Sequence, residues 1–359
     1  MSRIAAVKAV LPDFVYPQSE ITAAIAPLLT AESSPRRAVL ERLHAASGVQ
    51  TRHLALPLDR YQDLDTFGRA NDLFISLGTD LAERALRGAL RGAALAPGDV
   101  DFILFASVTG ISAPSIDALL VARLGLRPDV KRVPVFGLGC VAGAAGIARL
   151  HDYLAGHPGE VAVLVSVELC SLTIQRGDDS MANLVSSGLF GDGATAVVMV
   201  GDELARKLGP LGPDVVATRS RLYPGTEDVL GWDIGGSGFR IVLSASLAGV
   251  VERHLGDDVA DLLAAHDLKT GDVATWVAHT GGPRILEAAQ RSLNLPDGAL
   301  ELSWRSLERV GNLSSSGVLH VLADTLARGG QEPGEPGVLF AHGPGICAEL
   351  VLLRWPDQD

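Results

Sequence analysis

Apolar residues along this chain of 359 residues fall into two rhythms. Short unbroken apolar runs at 101–108, 161–168, 194–200, 275–279 and 337–343 have the length and composition of strands covered on both faces. Between them, residues 19–30, 34–46, 77–95, 115–124 and 142–155 place apolar residues at helical spacing, and Pro97 marks the end of the third. A first strand is expected near the start of the chain and another over 346–353, while 52–70 reads as mixed and loop-like. From Gly201 to Gly238, Gly, Pro and Asp become frequent, which puts a boundary near residue 205 between halves 1–205 and 206–359. Strands alternating with helices predict an α/β fold with well-covered sheets.

The second half repeats the first. Residues 275–279, followed by Thr280, Gly281 and Gly282, can be laid over 103–107, followed by Val108, Thr109 and Gly110, at an offset of 172 residues. The same offset lays Asn312 on Cys140, and the helix after Asn312 on the helix after Cys140. Residues 337–343 resemble the strand before Glu168, and 346–353 stand in for the strand that follows the Gly191-Asp192-Gly193 turn. The order of elements predicts a duplicated α/β unit whose two halves face each other.

Duplication matters for the chemistry because it relates three reactive side chains. Val133 to Phe136 lead into the glycine turn Gly137-Leu138-Gly139, and Cys140 stands where a helix begins. Free N–H groups and the partial positive charge of a helix start favour a thiolate there, although a buried structural cysteine would give the same local pattern. Asn312 begins the matching helix of half two, and His279 ends one of its strands. Ligands of open α/β sheets collect at such carboxyl ends of strands. In a protease-like triad Asn312 would orient His279. Both instead lie beside glycines, which suits two donors aimed at one developing oxyanion.

These segments resemble the type III polyketide synthases, the chalcone synthase superfamily of the thiolase fold. The resemblance runs from about residue 35 to 355, through Gly139-Cys140-Val141-Ala142-Gly143, Leu189-Phe190-Gly191-Asp192-Gly193-Ala194, His279-Thr280-Gly281-Gly282-Pro283, Gly311-Asn312-Leu313-Ser314-Ser315 and Gly343-Pro344-Gly345. It implies a duplicated five-layer αβαβα architecture and a homodimer. It also implies that Cys140 carries the acyl chain, paired as a thiolate with His279, while His279 and Asn312 hold the malonyl-CoA carbonyl during loss of carbon dioxide and Claisen condensation. Acyl-CoA and malonyl-CoA would be the substrates, with no metal or organic cofactor.

By the same resemblance Phe190 and Phe239 are gatekeepers between a coenzyme A tunnel and the reaction cavity. Cys170, Thr173, Thr109, Ala113 and Ser314 are cavity positions, Ala113 on a loop that reaches a partner subunit. Gly343, Pro344 and Gly345 shape the cavity, with Ala341 and His342 departing from the usual start of that loop. Arg42 aligns with a coenzyme A contact, but Val39 and Ala46 replace neighbouring basic positions. The phosphate site would then borrow Arg36 or Arg37, or the starter would arrive on a carrier protein. Small groups at Cys170 and Ala113 point to a medium- or long-chain acyl starter and an alkylpyrone or alkylresorcinol product. An aromatic or malonyl starter, a single-condensation β-ketoacyl-ACP synthase III and a silent binding protein are the alternatives. His279-Thr280-Gly281-Gly282 argues against the synthase III, and the retained Cys, His and Asn argue against silence.

Composition narrows the partners. A hydrophobic content of 47% with 20% charged residues describes a globular chain. The net charge of −12 argues against nucleic acid. No apolar run approaches membrane-spanning length, and the start is too interrupted for a signal peptide, so a cytoplasmic protein is expected. The three cysteines form no CxxC pair and the nine histidines no HExxH, which disfavours metal and disulfide frameworks.

Overall fold

The computed structural model describes residues 1–208 and 212–356. Its strands are β1 (Ser2–Val10), β2 (Phe14–Pro17), β3 (Thr51–Leu54), β4 (Phe102–Ala106), β5 (Lys131–Val135), β6 (Val161–Leu169), β7 (Asp192–Gly201), β8 (Asp214–Leu222), β9 (Leu230–Gly235), β10 (Gly238–Leu243), β11 (Thr275–Ala278), β12 (Pro336–Gly343) and β13 (Cys347–Arg354). Nine join in the order β11-β12-β13-β8-β1-β7-β6-β4-β5, while β2 with β3 and β9 with β10 form separate ribbons.

The pairing displays the duplication. In half one β4 runs parallel to β6, β6 antiparallel to β7, and β7 antiparallel to β1. Half two repeats this with β11, β12, β13 and β8. The two half-sheets meet through a short contact of Ser2 and Arg3 with β8. Under the repeat offset β5 would match residues 303–307, but these lie in the helix Glu301–Val310. The correspondence therefore breaks just before Asn312.

Helices separate and cover the half-sheets. Phe67–Gly92 packs on the outer side of β1, β6 and β7, and Leu247–Ala264 covers β8 and β13, with Pro283–Ser292 packed against it. Ala142–Gly156 and Gly317–Arg328 lie between the half-sheets and touch strands of both. Three apolar cores fill the spaces between these five layers, which make a thiolase-like fold. Every residue of β6 and β7 is buried, which accounts for their unbroken apolar runs. The central helices approach closely because Gly143 has no side chain: a Cβ there would lie 2.3 Å from the Ser315 carbonyl oxygen.

Several elements extend beyond the sequence reading. The long helix starts at Phe67 rather than near residue 77, capped by the Thr66 hydroxyl, which accepts from the Arg69 N–H. The stretch from Gly201 to Gly238 holds the helix Asp202–Leu208, β8 and β9, while its residues 209–211 lie outside the described ones. Within 52–70, most of β3 and a short 3₁₀ turn at Leu58–Asp63 are ordered. Among the described residues, no helix is long and apolar enough to cross a membrane.

Candidate active site

Cys140 occupies a 3₁₀ turn, Gly139–Val141, between β5 and the helix Ala142–Gly156. Gly139 has φ +54°, and a Cβ on it would come within 2.5 Å of Pro344, so the turn requires glycine twice over. Pro344 thus supports the nucleophile's turn from behind, as does Gly343, where a Cβ would meet the Leu138 carbonyl oxygen at 2.6 Å. The Gly345 N–H donates to the Leu230 carbonyl at 3.0 Å, tying this loop to β9. None of the three residues is in the wall of either cavity described below; Gly343 and Pro344 instead contact the turn that carries Cys140.

The Cys140 thiol donates to Ser314 Oγ at 3.6 Å, and that hydroxyl donates to Glu168 Oε1 at 3.3 Å. Glu168 also accepts from Thr109 Oγ1 at 2.9 Å and the Val108 N–H at 3.2 Å. Burial pushes the Glu168 carboxyl above its usual pKa. A hydrogen-bonded path therefore links the thiol to a buried carboxyl and to Thr109. Sequence reasoning used Glu168 only as a strand end; its one signal was a lone carboxylate closing an apolar run.

His279 follows β11, held by its N–H to the Phe340 carbonyl of β12 at 3.0 Å. Asn312 is fixed by a bridge to the Phe190 segment, donating its N–H to the Leu189 carbonyl at 2.9 Å and accepting from the Gly191 N–H at 2.9 Å. Its side-chain Oδ1 accepts from the Ser314 N–H at 2.8 Å, which leaves the Nδ2 donor for a ligand. A Cβ on Gly317 would stand 3.1 Å from His279 Nδ1. The short segment from Asn312 to Gly317 thus touches Cys140 through Ser314 and His279 through Gly317.

The electrostatics differ from a standing thiolate. Burial raises the Cys140 thiol to about 12 and lowers the His279 imidazole to about 3, with nearby His342 adding to the latter. Among the described residues neither His279 ring nitrogen has a hydrogen-bond partner, so the expected ion pair is not made. A single charge in this dry site is costly, so burial favours the neutral thiol and the neutral imidazole. The unpartnered His279 ring and the Asn312 Nδ2 are donors of the kind an oxyanion would require. Replacing Asn312 with alanine is expected to lower malonyl-CoA decarboxylation by roughly 10²–10³, the cost of one oxyanion donor, as read by release of labelled carbon dioxide. A change of less than about threefold would remove Asn312 from that role.

Beside this centre lies a cavity of about 60 Å³, whose wall includes Phe190, Phe239, Cys170, Thr173, Thr109 and Ser314. A more open cavity of about 640 Å³ shares Thr109, Thr173, Ile174 and Phe239 with it. Phe239 stands at the partition, edge-on to Phe67 at 5.3 Å and tilted against Trp232 at 5.8 Å. Ala113 is exposed and lines neither cavity of this chain. Arg42 is also exposed, on the helix Pro35–Ala45. Arg37 is committed to Thr30, donating to its hydroxyl at 2.8 Å and its carbonyl at 2.7 Å, which leaves Arg36 as the freer neighbour. Arg52, in the small cavity's wall, was missed because an arginine in a mixed segment carries no pattern signal.

A cysteine at a helix start, with a histidine and an asparagine donor supplied by the duplicated half, defines an acyl-transferring enzyme of the thiolase fold. Family profiles described as the N-terminal and C-terminal domains of chalcone and stilbene synthases match residues 1–203 and 214–355. The chain belongs to this family, the type III polyketide synthases, which act on malonyl-CoA and acyl-CoA thioesters. It is 56% identical to a 1,3,6,8-tetrahydroxynaphthalene synthase of Streptomyces peucetius subsp. caesius, over 98% of this chain and 93% of that one. It is 31% identical to the alpha-pyrone synthesis polyketide synthase-like Pks18 of Mycobacterium tuberculosis, over 95% of this chain and 88% of that one. The crystal structure of the 1,3,6,8-tetrahydroxynaphthalene synthase of Streptomyces coelicolor superposes with a TM-score of 0.92 at 29% identity, covering 99% of each chain.

Proposed function

We propose that this enzyme builds a hydroxylated naphthalene from malonyl-CoA alone. The observation that carries this reading is the small cavity beside Cys140, about 60 Å³, with several hydroxyls and an arginine in its wall. A long alkyl starter needs several times that volume and would leave the buried Arg52 Nη2 in that wall without a partner. The name of the 56% identical relative agrees, since every carbon of a naphthalene bearing alternate hydroxyls can come from two-carbon malonyl units.

In this reaction the Cys140 thiolate attacks the starter thioester carbonyl and coenzyme A leaves as its thiolate. The carbonyl oxygen of a second malonyl-CoA accepts from the His279 and Asn312 N–H groups. Its carbon–carboxylate bond breaks, carbon dioxide departs, and the electron pair remains as an enolate stabilised by those two donors. The enolate carbon attacks the Cys140 thioester, giving a chain two carbons longer on coenzyme A and freeing the thiolate. Phe190 and Phe239 partition the passage, Cys170, Thr173, Thr109 and Ser314 contact the growing chain, and exposed Arg42 with Arg36 meets the coenzyme A phosphates. The enzyme works as a homodimer of two-part subunits, 1–205 and 206–359. Exposure of Val133 and Phe136, on and beside the edge strand β5, supports an assembled form.

A medium- or long-chain acyl starter yielding an alkylpyrone is the second reading, favoured by the apolar wall that Ile21, Ile25 and Ile174 add to the cavity. Mass spectrometry of products from fully labelled malonyl-CoA decides between them. Malonyl-CoA alone is expected to give an aromatic product labelled at every carbon. Turnover only after an acyl-CoA is added, with an unlabelled alkyl tail retained, would establish the second reading instead.

A further inference from the structure

Arg52 is carried on β3 and is only 3% exposed, yet the residue forms part of the small cavity's wall. Its Nε donates to Gln18 Oε1 at 3.0 Å and its Nη1 to the Phe190 carbonyl at 2.7 Å. The remaining nitrogen, Nη2, is buried with no hydrogen-bond partner among the described residues. No Asp or Glu among them lies within ion-pair distance of it. Asp192 acts on it only through space, because its oxygens already accept from the Ala55 N–H and from the N–H and hydroxyl of Ser171.

Neighbouring hydroxyls of the wall are likewise engaged as donors. Ser186 donates to the Asn183 carbonyl at 3.0 Å, Ser187 to the Leu184 carbonyl at 3.0 Å, and Thr173 to the Cys170 carbonyl at 2.8 Å. A buried cationic N–H without an acceptor is costly, and a planar guanidinium edge matches a carboxylate. The cavity joins the nucleophile through Ser314, which both lines it and accepts from the Cys140 thiol.

We propose that Arg52 is the starter-selecting residue, its Nη2 receiving the free carboxylate of a malonyl group carried on Cys140. This rests on the malonyl-starter reading above and adds to it a recognition point at the far end of the acyl group. A neutral acyl group of the same length leaves Nη2 unpaired in a dry cavity, so the site discriminates by charge rather than by size. The two fixed nitrogens of the guanidinium, tied to Gln18 and Phe190, hold the third in place before the starter arrives.

The test is the rate of Cys140 acylation, read by rapid-quench mass spectrometry of the intact protein. Malonyl-CoA is compared with butyryl-CoA and with the neutral malonamyl thioester, in the wild type and in Arg52→Gln. The wild type is expected to prefer malonyl over both neutral groups by about tenfold or more, and folded Arg52→Gln to lose that preference through a slower malonyl step. An unchanged ratio in folded Arg52→Gln, with malonyl still loaded on wild-type Cys140, overturns the role of Arg52 alone. A wild type that never carries malonyl on Cys140 overturns the starter reading with it. Should the variant not fold, the wild-type comparison decides: equal acylation by malonyl and malonamyl thioesters refutes charge recognition, and a clear preference upholds it.

Discussion

Replacing Cys140 with alanine is expected to abolish polyketide formation, lowering it by about a thousandfold or more, while carbon dioxide release from malonyl-CoA persists. The two steps separate because they use different atoms. In the proposed reaction condensation uses a thioester on Sγ, whereas decarboxylation uses only the N–H donors of His279 and Asn312. Those donors stay in place without the sulfur. Asn312 is fixed by backbone bonds to the Leu189 and Gly191 segment and by the Ser314 N–H, and His279 by the Phe340 carbonyl. Parallel assays of labelled carbon dioxide and of product would show the split. Loss of both activities in a folded variant would mean that the thiol also serves decarboxylation, and retention of product would remove Cys140 from the chemistry.

Acidification from pH 7 to pH 5 is expected to destabilise the native state by roughly 5 kcal/mol. Four histidines drive this. Burial lowers His279 to about 3 and His44, His320 and His342 to about 4, from an ordinary value of 6.5. A depressed native pKa means that the unfolded chain binds the proton first. The stability is therefore complete above 6.5 and is lost as pH falls toward 4. Each histidine contributes about 1.4 kcal/mol per pH unit within that window. Asp192 opposes the trend, since burial raises it from 3.8 to about 6 and its protonation in acid removes the cost of a buried carboxylate. Burial also raises Glu168 and Glu349, which oppose the trend in the same way, but four imidazoles lowered to about 3 or 4 leave the loss dominant. Urea unfolding at the two pH values, with proton uptake measured across the transition, checks this. An equal stability at both would show that these rings are already charged in the native state.

Among the ion pairs, most join exposed side chains and add little to this balance. The buried polar groups matter more, and one group of them is linked to the cysteine. Glu168, Ser314, Thr109 and Asp192 all lie within the hydrogen-bonded walls of the site. Their arrangement makes the site dry and polar together, which favours enolate chemistry over hydrolysis.

The sequence by itself determined the strands that are buried on both faces, because continuous apolar runs such as β6 and β7 have few other solutions. It also singled out Cys140, His279 and Asn312 as candidates, from strand ends and helix starts laid over one another by the repeat. Local pattern failed where tertiary contacts decide. Residues 303–307 form a helix although their counterparts in half one form β5, and the long helix begins at Phe67 because Thr66 caps it. Only the folded chain brings β3 to the wall beside Phe190 and so places Arg52 in the cavity, a contact spanning 138 residues of sequence. Only it decides that Glu168 reaches the thiol through Ser314, 146 residues away. Long-range side-chain contacts of this kind leave no periodicity in the chain. The pattern therefore proposes a nucleophile and its donors, while the packed structure supplies the buried surroundings that set their protonation.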